Sequence, residues 1–152
     1  MSPETVEILL VEDNPNDLEL ALHAFAKHKF ANRIEVARDG QEALDYLLGG
    51  NGRLPGARPR VVLLDLKLPK VDGLQVLREI RSTPELARLP VVILTSSREE
   101  RDIVESYDLG VNSYIVKPVD FDKFVDTVQT LGLYWLLLNE PPVAATTTAA
   151  RA

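Results

Sequence analysis

The sequence predicts an α/β protein built on a parallel β-sheet with helices on both faces. Five short runs rich in Val, Ile and Leu are apolar without alternation, which is typical of strands buried on both faces of a sheet. Longer segments with apolar residues at helical spacing separate these runs, and such alternation favours right-handed βαβ units. The predicted strands cover residues 6–11, 34–37, 61–64, 91–94 and 113–116.

Capping residues mark the starts of the first two helices. Asn14 followed by Pro15 predicts a helix reaching about residue 29, because Asn caps helix N-termini and Pro suits the first helical position. Asp39 and Glu42 have the spacing of a capping box, which predicts the start of a second helix. Apolar residues recur in both segments at intervals of three and four, as a helix packed against a sheet requires.

The second half of the chain continues the alternation. Residues 49–60 contain four Gly and two Pro and predict an irregular loop. Ser97 and Glu100 form a second predicted capping box, for a helix that ends near Gly110. A last helix follows the fifth strand, and residues 139–152 are rich in Pro, Thr and Ala, which predicts a disordered tail.

The composition limits the kinds of protein that this chain can be. It has 152 residues and a net charge of −6, and an acidic surface repels phosphate backbones, so nucleic-acid binding is disfavoured. The absence of cysteine excludes disulfides, thiolate metal ligands and cysteine nucleophiles, and it fits a reducing compartment. No signal peptide is visible, and no apolar run approaches the roughly 20 residues of a membrane span, so we expect a cytoplasmic protein.

Polar residues follow four of the predicted strands, at the sheet edge where such folds bind ligands. Glu12 and Asp13 follow the first strand, Asp65 the third, Thr95 the fourth and Lys117 the fifth. Taken singly, each has an ordinary explanation: acids near a helix N-terminus, a strand-ending threonine, a surface lysine, or an aspartate paired with Arg60, Lys67 or Lys117. We expect Thr95 and Lys117 to lie at the loop edge rather than in the core. Substitution of either residue by alanine should therefore cost little stability.

Taken together, these residues describe phosphoryl transfer. Parallel strands bring their carboxyl ends to one edge, so three carboxylates should converge there and require neutralisation. Oxygen ligands of this kind suit Mg²⁺, while a lysine and a threonine hydroxyl can bind phosphate oxygens. A carboxylate can also attack phosphorus to form an aspartyl-phosphate. We therefore expect Asp65 to accept a phosphoryl group with the assistance of charge neutralisation.

Four segments resemble, in order and spacing, the receiver domain of bacterial two-component response regulators. These segments are ILLVEDNPND, VVLLDLKLPKVDG, VVILTSS and YIVKP, and the resemblance covers about residues 5–131. It implies a flavodoxin-like (βα)5 doubly wound sheet of strand order 2-1-3-4-5. It also implies that a sensor histidine kinase passes a phosphoryl group to Asp65, and that the chain is a phosphoacceptor signalling protein rather than an enzyme.

The resemblance also implies roles for the other residues at the strand ends. Glu12 and Asp13 match the acid pair of the metal site, and the backbone carbonyl of Lys67 would complete the protein ligands of Mg²⁺. Thr95 and Lys117 match the residues that sense and hold the phosphoryl group.

Features outside the site point to a receiver that acts through protein contacts. VEDNPND, the long loop and the apolar last helix resemble free-standing receivers that partner bacterial phytochromes. We expect the domain over residues 5–138, followed by too few residues for an output domain. Tyr114 matches the switch aromatic of the family, or is an ordinary strand tyrosine. The last helix has more apolar residues than one inward stripe can bury, which predicts a homodimer or partner face unless a loop covers it. This surplus comprises Leu133, Tyr134, Leu136, Leu137 and Leu138.

Two other functions remain open at this point. One is a Mg²⁺-dependent phosphatase or phosphotransferase that acts on small molecules through Asp65, although no segment is long enough to cover a substrate. The other is an adaptor that works without phosphorylation, although the intact set of site residues argues against it.

Overall fold

The computed structural model describes residues 8–28, 33–50, 52, 54–117, 120–123 and 126. Five strands lie within them: β1 (Ile8–Val11), β2 (Ile34–Ala37), β3 (Val61–Leu64), β4 (Val91–Thr95) and β5 (Ser113–Val116). All neighbouring pairs are parallel, and the order in the sheet is β2-β1-β3-β4-β5. The predicted flavodoxin-like topology is therefore confirmed, and the strand positions agree wherever the chain is described.

The first two helices begin at the predicted caps. Asn14 Oδ1 accepts the N–H of Asp17 at 3.0 Å. Asp39 Oδ1 accepts the N–H of Glu42 at 2.8 Å, while Glu42 Oε1 accepts the N–H of Arg38, one residue before the cap, at 2.9 Å. These local bonds satisfy N–H groups that have no partner inside the helix. The helices are α1 (Pro15–His28), α2 (Gly40–Leu48), α3 (Gly73–Ser82) and α4 (Glu100–Asp108), and a 3₁₀ turn covers Pro84–Leu86.

The predicted capping box of Ser97 and Glu100 is wrong. Helix α4 has Glu99 as its N-cap, and no side chain caps it. The Ser97 hydroxyl instead donates to Asp102 Oδ2 at 2.6 Å, because a buried carboxylate without a donor would be costly. The end of α4 agrees with the prediction, since Gly110 adopts a φ of 77° just after the helix.

Apolar side chains form one layer on each face of the sheet. In β1, Ile8 and Leu10 pack with Phe25 of α1, whereas Leu9 and Val11 belong to the opposite layer with α2 and α3. Strands β1, β3 and β4 are buried along their whole length, while β2 and β5 at the edges are partly exposed. Because helices cover both faces of the sheet, polar side chains of the central strands can contact solvent and ligands only at the strand ends.

The strand register aligns the carboxyl ends of neighbouring strands. Val11 pairs with the last residue of β3, so the residues that follow, Glu12 and Asp65, leave the sheet side by side. The Asp65 N–H donates to the carbonyl of Val11 at 3.1 Å, and the Lys117 N–H donates to the carbonyl of Thr95 at 2.8 Å. The backbone thus holds the strand-end residues at one edge before any side chain interacts.

Part of the predicted organisation lies outside the described residues. This applies to the proposed dimer face on the last helix, to the tail over residues 139–152 and to the limits of the domain. Residues 121–123 and 126 are helical, in agreement with the start of the last helix. In the part of the chain that the structure describes, no helix is both long and apolar enough to cross a membrane.

Candidate functional site

Three carboxylates lie together at the carboxyl edge of the sheet. Glu12, Asp13 and Asp65 each offer one oxygen atom, and these oxygens lie within 4.8 Å of one another. Glu12 and Asp65 are buried, with 4% and 5% of their surfaces exposed, whereas Asp13 is exposed. Buried carboxylates require a nearby cation or several donors, so this group cannot stand alone.

Lys117 supplies a positive charge to this group. Its Nζ lies 2.8 Å from Glu12 Oε1, 2.7 Å from Asp17 Oδ2 and 3.0 Å from Asp65 Oδ2. Lys117 follows β5 at the loop edge, as expected, but only 14% of its side chain is exposed, so the expectation of a surface-like lysine is wrong. The lysine is drawn inward because the carboxylates of two neighbouring strands converge beneath it. Of the three cations considered as partners of Asp65, this one forms the pair.

Burial and charge set the pKa values in the cluster. Burial alone would lower the pKa of Lys117, but its hydrogen bonds to Asp17, Glu12 and Asp65 outweigh that effect and raise the pKa above its ordinary value. Burial raises the pKa of Glu12, against the opposing effect of its hydrogen bonds with Lys117 and the N–H of Asn14. The Lys117 side chain therefore stays protonated. A second cation beside Glu12 would favour the ionised form of the Glu12 carboxylate.

The donor set fits a hard divalent cation. Such ions bind oxygen ligands, commonly one or two carboxylates, and retain several waters. Two of the carboxylates are already oriented, because Glu12 Oε2 accepts the N–H of Asn14 at 3.1 Å and Asp65 Oδ1 accepts the N–H of Lys67 at 3.2 Å. The contribution of the Lys67 carbonyl as a metal ligand stays a prediction.

Asp17 also belongs to the cluster, although it was not among the predicted site residues. It lies in the first turn of α1, and its contact with Lys117 is the shortest of the three. Its position could have been predicted from the sequence, because Asp17 follows the capping residue Asn14 by three positions. A helix that begins at the carboxyl edge of the sheet places its first turn beside the site. An acidic residue in a first turn already has an explanation in the helix dipole, which concealed the long-range contact.

Thr95 is fully enclosed, with none of its surface exposed. Its Oγ1 accepts the N–H of Ser97 at 3.3 Å, so the hydroxyl holds the turn that follows β4. The expectation that Thr95 lies at the loop edge outside the core is therefore wrong. The last residue of a central strand remains covered by its neighbours on both sides.

A second polar cluster, which we call the α4 cluster, consists of Ser97, Asp102, Lys67 and Tyr114. The Ser97 hydroxyl bonds to Asp102, and Lys67 Nζ lies 3.6 Å from the same carboxylate. The Tyr114 hydroxyl donates to the carbonyl of Ser97 at 3.0 Å, and burial raises the pKa of this tyrosine. No sequence pattern predicts this cluster, because the spacing of Ser97 and Glu100 favours a helix cap instead. The cluster links the loops after β3 and β4 to helix α4.

Comparison with known proteins identifies the family. The sequence profile of the response regulator receiver domain matches residues 8–129. The chain therefore belongs to the receiver domains of response regulators, which are signalling proteins that are phosphorylated on an aspartate. The fold and the acidic cluster at the carboxyl edge agree with this assignment.

Three relatives resemble the chain over most of their length. The probable methanogenesis regulatory protein FilR2 of Methanothrix harundinacea is 47% identical over 89% of this chain and 86% of its own. Response regulator Rcp1 of Synechocystis sp. is 39% identical over 90% and 93%. A structure of the Mn²⁺-bound form of Rcp1 has a TM-score of 0.74 at 35% identity, covering 97% of this chain and 99% of that one. The bacteriophytochrome response regulator AtBRR has a TM-score of 0.72 at 58% identity, covering 91% and 100%.

Proposed function

We propose that Asp65 is the aspartate that accepts the phosphoryl group. The observation that carries the proposal is the position of its carboxylate between an ammonium and an acid pair. Asp65 Oδ2 contacts Lys117 at 3.0 Å, and the opposite oxygen accepts the N–H of Lys67. One carboxylate oxygen each of Glu12 and Asp13 lies within 4.8 Å of an Asp65 oxygen, close enough for one metal ion to bind all three. Within the described residues this is the one such group of potential metal ligands, and Asp65 is its buried aspartate, whereas Asp13 is exposed.

The reaction is a transfer between two nucleophiles. An oxygen of Asp65 forms a bond to phosphorus while the bond from phosphorus to the donor nitrogen of a phosphohistidine breaks, and the electron pair returns to that imidazole. The Lys117 ammonium neutralises charge on the phosphoryl oxygens. Hydrolysis of the acyl phosphate by water later releases inorganic phosphate and restores the carboxylate.

Magnesium is the cofactor that we propose for this reaction. Glu12, Asp13, Asp65 and the backbone carbonyl of Lys67 would hold the ion, and the Mn²⁺-bound form of Rcp1 supports a divalent cation in this class of site. When bound, the ion neutralises carboxylate and phosphoryl charge. The protein residues orient the acceptor: Lys67 donates its N–H to one oxygen of Asp65, and Lys117 donates to the other.

We further propose that Thr95 and Tyr114 transmit the phosphorylated state. In the unphosphorylated structure the Thr95 hydroxyl accepts the N–H of Ser97. We propose that this hydroxyl binds a phosphoryl oxygen when Asp65 is phosphorylated. Tyr114 bonds to the carbonyl of that same serine, so a shift of the β4–α4 turn reaches both residues. A ligand changes such an equilibrium only through contacts that differ between the two states.

The partner that we propose is a sensor histidine kinase of the bacterial phytochrome type, because AtBRR is described as a bacteriophytochrome response regulator. An autophosphorylated phytochrome kinase should transfer its phosphoryl group to this chain faster than an unrelated histidine kinase does. Equal rates for both kinases would contradict the narrower assignment while leaving Asp65 as acceptor.

We also propose that residues 5–138 form the receiver domain and that its last helix supports a homodimer. The support is the apolar surplus that includes Leu136 and Leu137. Leu136→Glu combined with Leu137→Lys should halve the mass measured by light scattering, because a buried seam cannot accommodate the charges. A wild-type protein that is monomeric at all concentrations would contradict the dimer and leave a kinase or target contact.

The central proposal is tested by labelling with acetyl phosphate, followed by intact mass measurement. The wild type should gain one phosphoryl group only when Mg²⁺ is present, and Asp65→Asn should gain none. Asp108→Asn, an exposed acid at the end of α4, is the control and should be labelled like the wild type. Undiminished labelling of Asp65→Asn would overturn the proposal. Many turnovers of a small phosphomonoester would instead indicate the phosphatase alternative.

A further inference from the structure

The ammonium of Lys117 has no N–H donor to spare. A lysine carries three N–H donors and no acceptor, and here the three nearest acceptors are carboxylate oxygens of Glu12, Asp17 and Asp65. All three contacts lie between 2.7 and 3.0 Å, within the range of charge-assisted hydrogen bonds or just beyond it. A phosphoryl oxygen on Asp65 therefore requires Lys117 to give up one of its present partners.

The three partners differ in how readily they can be given up. The Glu12 side chain is only 5% exposed, so the loss of Lys117 would leave a carboxylate buried without its cation. Asp65 is itself the proposed acceptor and stays beside the phosphoryl group. The Asp17 side chain is 29% exposed and lies in the first turn of α1, where water and the helix N-terminus both favour a free carboxylate. Of the two partners that remain carboxylates after phosphorylation, Asp17 therefore costs less to release than Glu12.

We infer that Asp17 is a positioning residue that holds Lys117 in the unphosphorylated arrangement and releases it when Asp65 carries its phosphoryl group. The inference rests on the proposed function of Asp65. The Asp17 and Asp65 oxygens both lie within 3.0 Å of the same nitrogen, so Asp17 also places a negative charge close to an incoming anion. Phosphorylation therefore exchanges a carboxylate for a phosphoryl oxygen at one ammonium donor, with no proton transferred.

The inference predicts that neutralising Asp17 strengthens binding of a phosphoryl mimic. Beryllofluoride binds without a covalent step, so its dissociation constant can be measured by calorimetry at saturating Mg²⁺, with the saturating concentration established for each variant. Asp17→Asn should bind beryllofluoride about three- to tenfold more tightly than the wild type, because a competing acceptor and a repelling charge are both removed. Asp17→Glu, which restores the carboxylate, should bind within about twofold of the wild type.

Two controls separate the contact from general effects of charge and folding. Glu19→Gln removes the same charge from an exposed position on the same helix and should leave the affinity unchanged. In a Lys117→Ala background, Asp17→Asn should bring a clearly smaller gain, because the donor that Asp17 holds is absent and only the repelling charge is removed. Asp17→Ser, checked by circular dichroism, provides a second neutral variant if the asparagine variant is poorly folded.

The outcomes distinguish this inference from the proposed function. If the wild type binds beryllofluoride with Mg²⁺ but Asp17→Asn binds equally or more weakly, the inference is overturned and Asp65 remains the acceptor. A gain in Asp17→Asn that Glu19→Gln reproduces would also overturn it, since the effect would then be one of net charge. If the wild type fails to bind the mimic at all, the proposed function fails and the inference fails with it.

Discussion

Two cationic side chains bind at opposite edges of the sheet, and their partners are of different kinds. Lys117, at the carboxyl edge, donates to the carboxylates of three acidic residues. Arg81 lies at the end of α3, beside the amino ends of β4 and β5, and donates to backbone carbonyls at 2.6 to 3.1 Å. These carbonyls belong to Ala87, Leu89, Leu109 and Gly110. Burial lowers the pKa of Arg81, whereas the carboxylates around Lys117 raise its pKa despite burial.

The difference in partners separates a fixed edge from an edge that can change. A backbone carbonyl keeps the same charge and the same covalent structure in every state of the protein. A carboxylate can bind a metal ion, gain a proton or accept a phosphoryl group, and each event alters its attraction for a nearby ammonium. Arg81 therefore holds the 3₁₀ turn and the α4–β5 turn in place, while the contacts of Lys117 respond to ligands.

The largest effect on stability should come from Arg81→Ala. The substitution leaves four carbonyls without their donor, and we expect the free energy of unfolding to fall by about 2–4 kcal/mol in urea titrations. Arg78→Ala is the matched control on the same helix, because Arg78 forms an exposed ion pair with Glu105. That variant should lose at most about 1 kcal/mol. Equal losses for the two variants would contradict a special role for Arg81.

Lys117→Ala should destabilise the protein by a smaller amount that depends on metal. Without Mg²⁺ we expect a loss of about 1–3 kcal/mol, because Glu12 and Asp65 would remain buried without their ammonium. Excess Mg²⁺ should restore much of that loss by supplying positive charge to the same carboxylates. The loss in Arg81→Ala should not respond to Mg²⁺ in this way. A metal-independent loss in Lys117→Ala would remove the distinction between the two edges.

Thr95→Ala should destabilise the protein by about 1–2 kcal/mol, since it removes buried volume and an acceptor for the Ser97 N–H. Thr95→Ser keeps the hydroxyl and should lose less than half as much. The comparison, made by urea unfolding, separates the hydroxyl bond from the packing of the methyl group. No loss in Thr95→Ala would restore the expectation of a side chain at the loop edge.

Local patterns in the sequence predicted the elements whose bonds are themselves local. The caps at Asn14 and Asp39 are such cases, because donor and acceptor lie within three residues of each other. The Ser97 capping box failed because the hydroxyl had a competing partner, Asp102, which becomes available only once the turn is folded. The contact of Asp17 with Lys117 spans one hundred residues, and no local pattern encodes it.

The convergence of the strand-end residues was predictable for a different reason. Parallel strands bring their carboxyl ends to one edge whatever the side chains are, so Glu12, Asp65 and Lys117 meet through topology. Topology did not reveal how deeply each side chain is buried. Burial depends on the surrounding loops, which explains why Thr95 and Lys117 were expected to be more exposed than they are.

The smallest effect should come from Tyr114→Phe. This variant tests whether the carboxyl edge also contains a side chain that, like Arg81, is held by a backbone carbonyl. The Tyr114 hydroxyl donates to the backbone carbonyl of Ser97, and its loss should cost about 0.5–1.5 kcal/mol near neutral pH. Burial raises the pKa of Tyr114 above its ordinary value of 10.0, so its contribution is complete below pH 10 and is lost as pH rises through the folded-state pKa. The stability difference between wild type and Tyr114→Phe should therefore shrink in alkaline urea titrations.

Tyr107→Phe, at an exposed position on α4, should show no difference at neutral pH. A Tyr114→Phe deficit that grows with pH would mean that the hydroxyl is not held by this carbonyl.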